Sequence, residues 1–155
     1  MRTYVRGPDG RPGVWFLSLD ASSRIAVEGA RRRFGLPFFH ARLSLDETGD
    51  WRDVECARIG ERGRVFSGRY RADGMEAVPA PASLEAFLVE RYCLYATGRN
   101  GALLRGEIHH RPWALRNAEA EIELATIVPL ELNGSALCHV AAPQDLVVWP
   151  LEALD

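Results

Sequence analysis

The sequence predicts a mainly β (α+β) fold, an antiparallel β-barrel with two helices, and three observations carry that prediction. Apolar and polar residues alternate with period two in several segments, as in strands with one buried face. Turn-forming Gly and Pro clusters separate these segments at short intervals. Only two stretches combine a helix cap with helical spacing, and many evenly spaced strands favour a closed or closely wrapped sheet, because closure removes exposed edges.

Taken in order, Thr3 to Arg6 reads as a short strand ended by the turn formers Gly7-Pro8-Asp9-Gly10 and Pro12-Gly13. Val14 to Leu19 is apolar on both faces and so reads as a central strand. Asp20 or Ser22 is placed to cap a helix carrying Ile25, Ala26, Ala30 and Phe34, stopped by Gly35 and Pro37. Arg31, Arg32 and Arg33 fall in its last turn, where cations complement the helix dipole; we read them as a solvated cluster in preference to an anion site. Phe39, Ala41, Leu43 and Leu45 then alternate with His40, Arg42 and Ser44. Trp51 to Ile59 and Arg64 to Ala72 continue as an antiparallel meander, with Phe66, Gly68, Tyr70 and Ala72 facing away from Ser67, Arg69 and Arg71. Ser83 caps a second helix through Leu84, Phe87, Leu88 and Arg91. Further strands are expected at Tyr92 to Thr97, Ala102 to His110, Ala118 to Val128 and Gln144 to Leu151, with a weaker one at Ala136 to Ala141.

Length and composition bound the function. The 155 residues fit one domain, 1–155, and a domain of this size buries about 68–70% of the surface its unfolded chain exposes. A net charge of −2 creates no broad positive field, so nucleic acid and anionic membranes are not expected partners. All 19 basic residues are arginines; without lysine the chain cannot form the usual imine with a carbonyl substrate, and only the Met1 α-amino group could substitute. Cys56, Cys93 and Cys138 are too widely spaced for a CxxC motif or an even disulfide framework, and reduced thiols are expected. There is no apolar leader and no apolar run of membrane-spanning length, which points to the cytoplasm.

The densest group of reactive side chains is Arg105-Gly106-Glu107-Ile108-His109-His110-Arg111-Pro112-Trp113. Adjacent histidines on a strand point to opposite faces, so His109 and His110 are poorly placed to share a metal, and no metal or cofactor is indicated. His110 shares a face with Leu104 and Ile108. It is a candidate general acid or base in an apolar pocket, or a satisfied core histidine fixing the Pro112-Trp113 turn. His40 and His139 lack ligands at metal spacing. Glu119, Glu121 and Glu123 line one strand face; crowded carboxylates can do acid-base work, but such a row is more often solvated and paired across strands, here with Arg69, Arg71 or Arg105. Glu90-Arg91-Tyr92-Cys93-Leu94-Tyr95 joins a helix end to a strand. Its arginine and tyrosines can hold a carboxylate or carbonyl through a fork of donors, or simply form an ion pair with half-buried phenols. Serine nucleophile elbows and phosphate-cradling Gly loops are absent.

Arg2-Thr3-Tyr4-Val5, Gly13-Val-Trp-Phe-Leu-Ser-Leu-Asp20, Phe34-Gly-Leu-Pro-Phe-Phe39, Glu90-Arg-Tyr-Cys-Leu-Tyr95 and Gly106-Glu-Ile-His-His110 with Pro112-Trp113 together resemble the YqjF-like family of uncharacterised bacterial proteins. That resemblance implies a relationship to the acetoacetate decarboxylase-like superfamily, in which a β-barrel encloses a small-molecule pocket. The decarboxylase uses a lysine for its imine, so only fold and pocket carry over. By position the resemblance nominates Arg2, Tyr4, Arg91, Tyr95 and His110 as cavity residues, and Trp113 joins them as a ligand contact. Family members carry a substantial stretch before the Arg-Thr-Tyr-Val segment that here begins at Met1. The barrel is therefore expected to be incomplete, or completed by a homo-oligomer formed through an exposed sheet edge.

Two functions follow. One is a barrel that binds a small carbonyl- or carboxylate-bearing organic molecule, extending to a lysine-independent lyase or isomerase using His110 with Arg91 or Arg2. The other is a non-catalytic binding or interaction module that has lost part of the family barrel. A closed pocket with convergent polar groups distinguishes the first from the second.

Overall fold

The computed structural model describes residues 1–98, 100–127 and 136–154. In chain order the elements are β1 (Arg2–Arg6), β2 (Pro12–Phe16), β3 (Leu19–Ala21), α1 (Arg24–Phe34), β4 (Phe38–Thr48), β5 (Trp51–Arg58), β6 (Val65–Ala77), α2 (Leu84–Val89), β7 (Cys93–Thr97), β8 (Leu103–His109), β9 (Leu115–Ala125), β10 (His139–Ala141), β11 (Val147–Val148) and β12 (Glu152–Ala153). They form two six-stranded sheets: β1-β2-β7-β8-β11 with β12 also on β8, and β10-β9-β6-β5-β4-β3. The fold is mainly β with two helices, and one sheet curls into a half-barrel, an incomplete barrel as expected.

Several local expectations need correction. The strand expected at Val14 to Leu19 is split, because the chain changes sheet there: the N–H groups of Leu17 and Ser18 both donate to the Met1 carbonyl, and Leu19 begins β3 in the other sheet. The pairing is not wholly antiparallel. β2 runs parallel to β7, and β3 runs parallel to β4 with α1 as the crossover that parallel neighbours require. Ser23, rather than Asp20 or Ser22, caps α1, its Oγ accepting the Ala26 N–H at 3.3 Å. Gly35 closes that helix at φ 63°, a left-handed position natural to glycine, with its N–H on the Arg31 carbonyl. Helix α2 ends at Val89, so Arg91 lies beyond it. The Gln144 to Leu151 strand is reduced to β11, and β12 lies just beyond its expected end, because Pro150 interrupts the run along β8. The strand expected to reach Val128 ends at Ala125, and Val128 lies outside the described residues.

In the curled sheet the meander β4-β5-β6 is extended by β9, and the cross-strand partners sort cleanly by face. Leu43, Cys56 and Phe66 fall in register on the inner face; Asp46, Asp53, Arg69 and Glu121 fall in register on the outer. The first sheet packs its Val14, Leu94 and Ala96 against Leu36, with Phe34 and Phe38 closing the cluster from the α1 side. No helix among the described residues is long and apolar enough to cross a membrane.

Candidate functional site

The segment from Phe87 to Tyr92 is the hinge of the candidate site. Ser83 starts α2 by accepting the Ala86 N–H at 3.1 Å, and six residues later the helix leaves its last carbonyls without intrahelical partners. Strand β1 supplies donors to one of them: Arg2 Nη2 and the Tyr4 hydroxyl both donate to the Leu88 carbonyl, at 2.8 and 3.0 Å. The Arg91 guanidinium lies over the Phe87 ring at 4.2 Å and the Tyr4 ring at 5.4 Å. Its Nη1 donates to the Glu90 carbonyl at 3.1 Å, while its buried Nε has no partner among the described residues.

No carboxylate among the described residues forms an ion pair with Arg2 or Arg91. Burial lowers the Arg91 pKa below that of an ordinary guanidinium, Tyr4 opposes the shift, and the like charge of Arg2 adds to it. Arginine stays charged in any protein, so the physical content is a partly desolvated cation with an unused donor.

On the other side of the hinge sit His110 and Trp113. His110 is buried, stacked on Tyr92 at 4.5 Å and tilted against Trp113 at 5.4 Å. Its Nδ1 lies 2.7 Å from the Arg111 carbonyl and its Nε2 3.2 Å from the Arg91 carbonyl. Carbonyls only accept, so a neutral ring, with one N–H, satisfies one of the two in either tautomer. Neither nitrogen faces open space. Glu90 ties the turn down: its Oε1 accepts the Trp113 N–H at 2.8 Å and its Oε2 accepts the Tyr92 hydroxyl. That bond, with burial second, pushes the Tyr92 pKa up to about 12.

Tyr95 is separated from this group. Tyr4 is in register with Val14 and thence Leu94, whereas Tyr95 is in register with Trp15, on the opposite face of the first sheet. It is 2% exposed beneath the β1–β2 turn, and its hydroxyl donates to the Arg11 carbonyl at 3.1 Å. Gly13 makes room for it, since a Cβ there would lie 2.8 Å from the ring. Burial pushes the Tyr95 pKa up to about 12. Around it Arg11 grips Glu107 with two bonds of 2.5 and 2.8 Å, and Arg105 holds Asp9 at 2.7 Å. Of the three arginines offered as alternative partners of the glutamate row, Arg71 and Arg69 take that role among the described residues, on Glu119 and Glu121, whereas Arg105 is engaged by Asp9.

Two adjoining cavities of about 640 and 510 Å³ lie along β6, β9 and β10 and share Tyr70 and Val140. The first is rimmed by Arg52 and Arg116, the second walled by Ala118, Ala120 and Cys138. Sequence reasoning missed this basin, because its polar residues come from separate strands. It also missed the pair Arg58–Asp20, 2.6 Å apart with side chains 6% and 16% exposed. The available signal was an arginine at an inward position of an alternating strand, which demands an acidic partner. Among the described residues no three His, Cys, Asp or Glu side chains converge as a metal site would require.

Residues 1–148 match the model of the DUF2071 family, described as an uncharacterized conserved protein. The chain is 41% identical over 155 residues to the uncharacterized protein YqjF of Bacillus subtilis (strain 168), a match covering 97% of this chain and 63% of that relative. It thus spans somewhat under two thirds of the length of the curated relative it matches. The chain belongs to the DUF2071 family.

Proposed function

We propose that this member of the DUF2071 family binds a small organic molecule through a carboxylate or carbonyl group, held at the corner where β1 meets the end of α2. The observation that carries this reading is the buried, unpartnered Nε of Arg91, beside a second arginine and without a paired carboxylate among the described residues. A carboxylate approaching from the exposed Arg2 side offsets the repulsion between Arg91 and Arg2, and a shift of the Arg91 side chain that uncovers its buried Nε gives that donor an acceptor. Tyr4 and Phe87 supply the flat apolar wall, their rings 5.0 Å apart.

In this reading His110 and Trp113 brace the hinge from behind, and Tyr95 anchors the opposite face of the first sheet. A lyase or isomerase step would fall to His110, which would first have to release one of its carbonyl partners. Binding is therefore the function proposed, with catalysis left to that conditional step. The superfamily relationship suggested by sequence resemblance agrees with a carbonyl-bearing guest and supplies no mechanism, since the chain has no lysine.

A panel of short-chain carboxylates and oxo acids, screened by thermal unfolding, tests the proposal. At least one should raise the Tm saturably in the parent protein and fail to do so in Arg91→Gln. A flat response throughout, or a shift retained in R91Q, overturns it. A second reading places the guest in the basin along β6, β9 and β10, favoured by the two cavities that share Tyr70 and Val140. Filling that basin with Ala120→Trp abolishes binding under the second reading and leaves it intact under the first.

A further inference from the structure

Strand β3 covers β4 only from Phe38 to His40, and among the described residues nothing pairs with the same edge of β4 from Ala41 onward. From Arg42 to Thr48 every residue is exposed, including Leu43 at 47% and Leu45 at 59%. A long, flat, partly apolar edge of this kind is a template for another strand.

The direction of its free backbone groups can be deduced. The Ile59 N–H donates to the His40 carbonyl, so His40 points its backbone at β5. Hydrogen-bonding direction alternates along a strand, hence Arg42, Ser44 and Asp46 also point at β5, while Leu43 and Leu45 point at the open edge. An incoming antiparallel strand must therefore meet Leu43 and Leu45 as hydrogen-bonded positions and Ser44 as the close, non-hydrogen-bonded position between them.

We propose that the occupant is β4 of a second copy of this chain, joined antiparallel across a two-fold axis at Ser44. In that register Leu43 faces the partner's Leu45 on the inner wall, and Arg42 faces the partner's Asp46 on the outer face. Among the described residues neither Arg42 nor Asp46 forms an ion pair. Asp46 is in register with Asp53, a like charge, and Arg42 is in register with Ala57. The partner's arginine extends the row Asp46, Asp53, Arg69, Glu121 with a cation at its acidic end. Centring the axis on Leu43 or Leu45 breaks both matches, and β3 ends opposite His40, which leaves Ala41 to Glu47 free to pair about Ser44. Isologous pairing of one strand with its own copy is the self-complementary geometry that a two-fold dimer requires.

Sedimentation equilibrium over a range of protein concentrations should show a monomer–dimer equilibrium for the parent. Arg42→Asp and Asp46→Arg should each weaken dimerisation by at least about tenfold, because both symmetry copies of the pair become like-charged. The double variant R42D/D46R should restore it. Because these positions are exposed, folding is checked by circular dichroism. Ser44→Cys provides an independent readout: the facing Cα atoms of a non-hydrogen-bonded pair sit at about 4.5 Å, within disulfide range. Oxidation should cross-link S44C as a dimer above the parent's background and leave R42C uncross-linked. A parent that stays monomeric at every concentration, single variants that associate normally, a double variant no better than the singles, or R42C cross-linking as well as S44C would each overturn the assignment.

Discussion

Strand β7 and the far half of β4 are both read from the sequence as strands with apolar faces, yet they end in opposite environments. Cys93 to Ala96 are all buried, Leu94 at 1% exposure, between β2 and β8 and beneath α1-side aromatics. Leu45, on the inner face of β4, is 59% exposed. Alternation therefore tells which way a side chain points, and it is silent on whether anything lies there. The near end of the curled sheet is sealed by the Arg58–Asp20 pair and by Phe39, whose ring lies 3.7 Å from the Arg58 guanidinium carbon. The far end is open, and both the candidate basin and the free edge are found in that half of the structure.

The strongest way to break this contrast is at the sealed end. Asp20→Asn leaves the buried Arg58 guanidinium with Glu61, at 3.4 Å, as its one carboxylate among the described residues, and should cost about 3–5 kcal/mol in chemical denaturation. A loss within the range of a surface pair would place Asp20 in a solvated setting. Next, Leu94→Ala should cost about 2–5 kcal/mol, since it empties a closed part of the core. Leu45→Ala at low protein concentration should stay within about 0.5 kcal/mol, and equal costs for the two would show that β4 is covered after all.

A smaller effect separates the first sheet by pH. The Tyr95 hydroxyl titrates at its ordinary value of 10 in the unfolded chain and at about 12 when folded. Its neutral form is the one folding favours, so the associated stability is intact below pH 10 and is lost as pH rises from 10 towards 12. Denaturation midpoints taken across that window should fall, and Tyr95→Phe should make the fall shallower, leaving the share carried by Tyr92, while costing about 1 kcal/mol at neutral pH for the lost bond to the Arg11 carbonyl. The smallest change belongs to the outer face. Glu121→Gln removes a half-exposed partner of Arg69 and should shift stability by no more than about 1 kcal/mol, with little remaining at high salt.

Much of the fold was legible because local chemistry and tertiary environment agree. The alternation from Phe39 to Leu45 and from Phe66 to Ala72 assigns the inner and outer faces that the registers show, and Ser83 caps α2 where its side chain could be expected to. Boundaries set by long-range partners were not legible. The break at Leu17-Ser18 depends on the Met1 carbonyl, and the shortening of the C-terminal strand depends on how Pro150 meets β8. The candidate residues divide similarly. Arg2, Tyr4 and Arg91 meet at one corner, with His110 and Trp113 behind it. Tyr95 parts from them because a strand places neighbouring positions on opposite faces, and the sequence does not show which face of β7 lies with β1's Tyr4.

The most direct test looks at the donor on which the proposed function turns. In a ¹H–¹⁵N spectrum of the arginine side chains, with Arg91 assigned from R91Q, a carboxylate selected by the thermal screen is titrated into the protein. The Arg91 Nε–H resonance should move saturably, with an affinity matching the thermal shift. An Arg91 signal that stays fixed while the ligand binds would place the guest elsewhere and contradict the site proposed at β1 and α2.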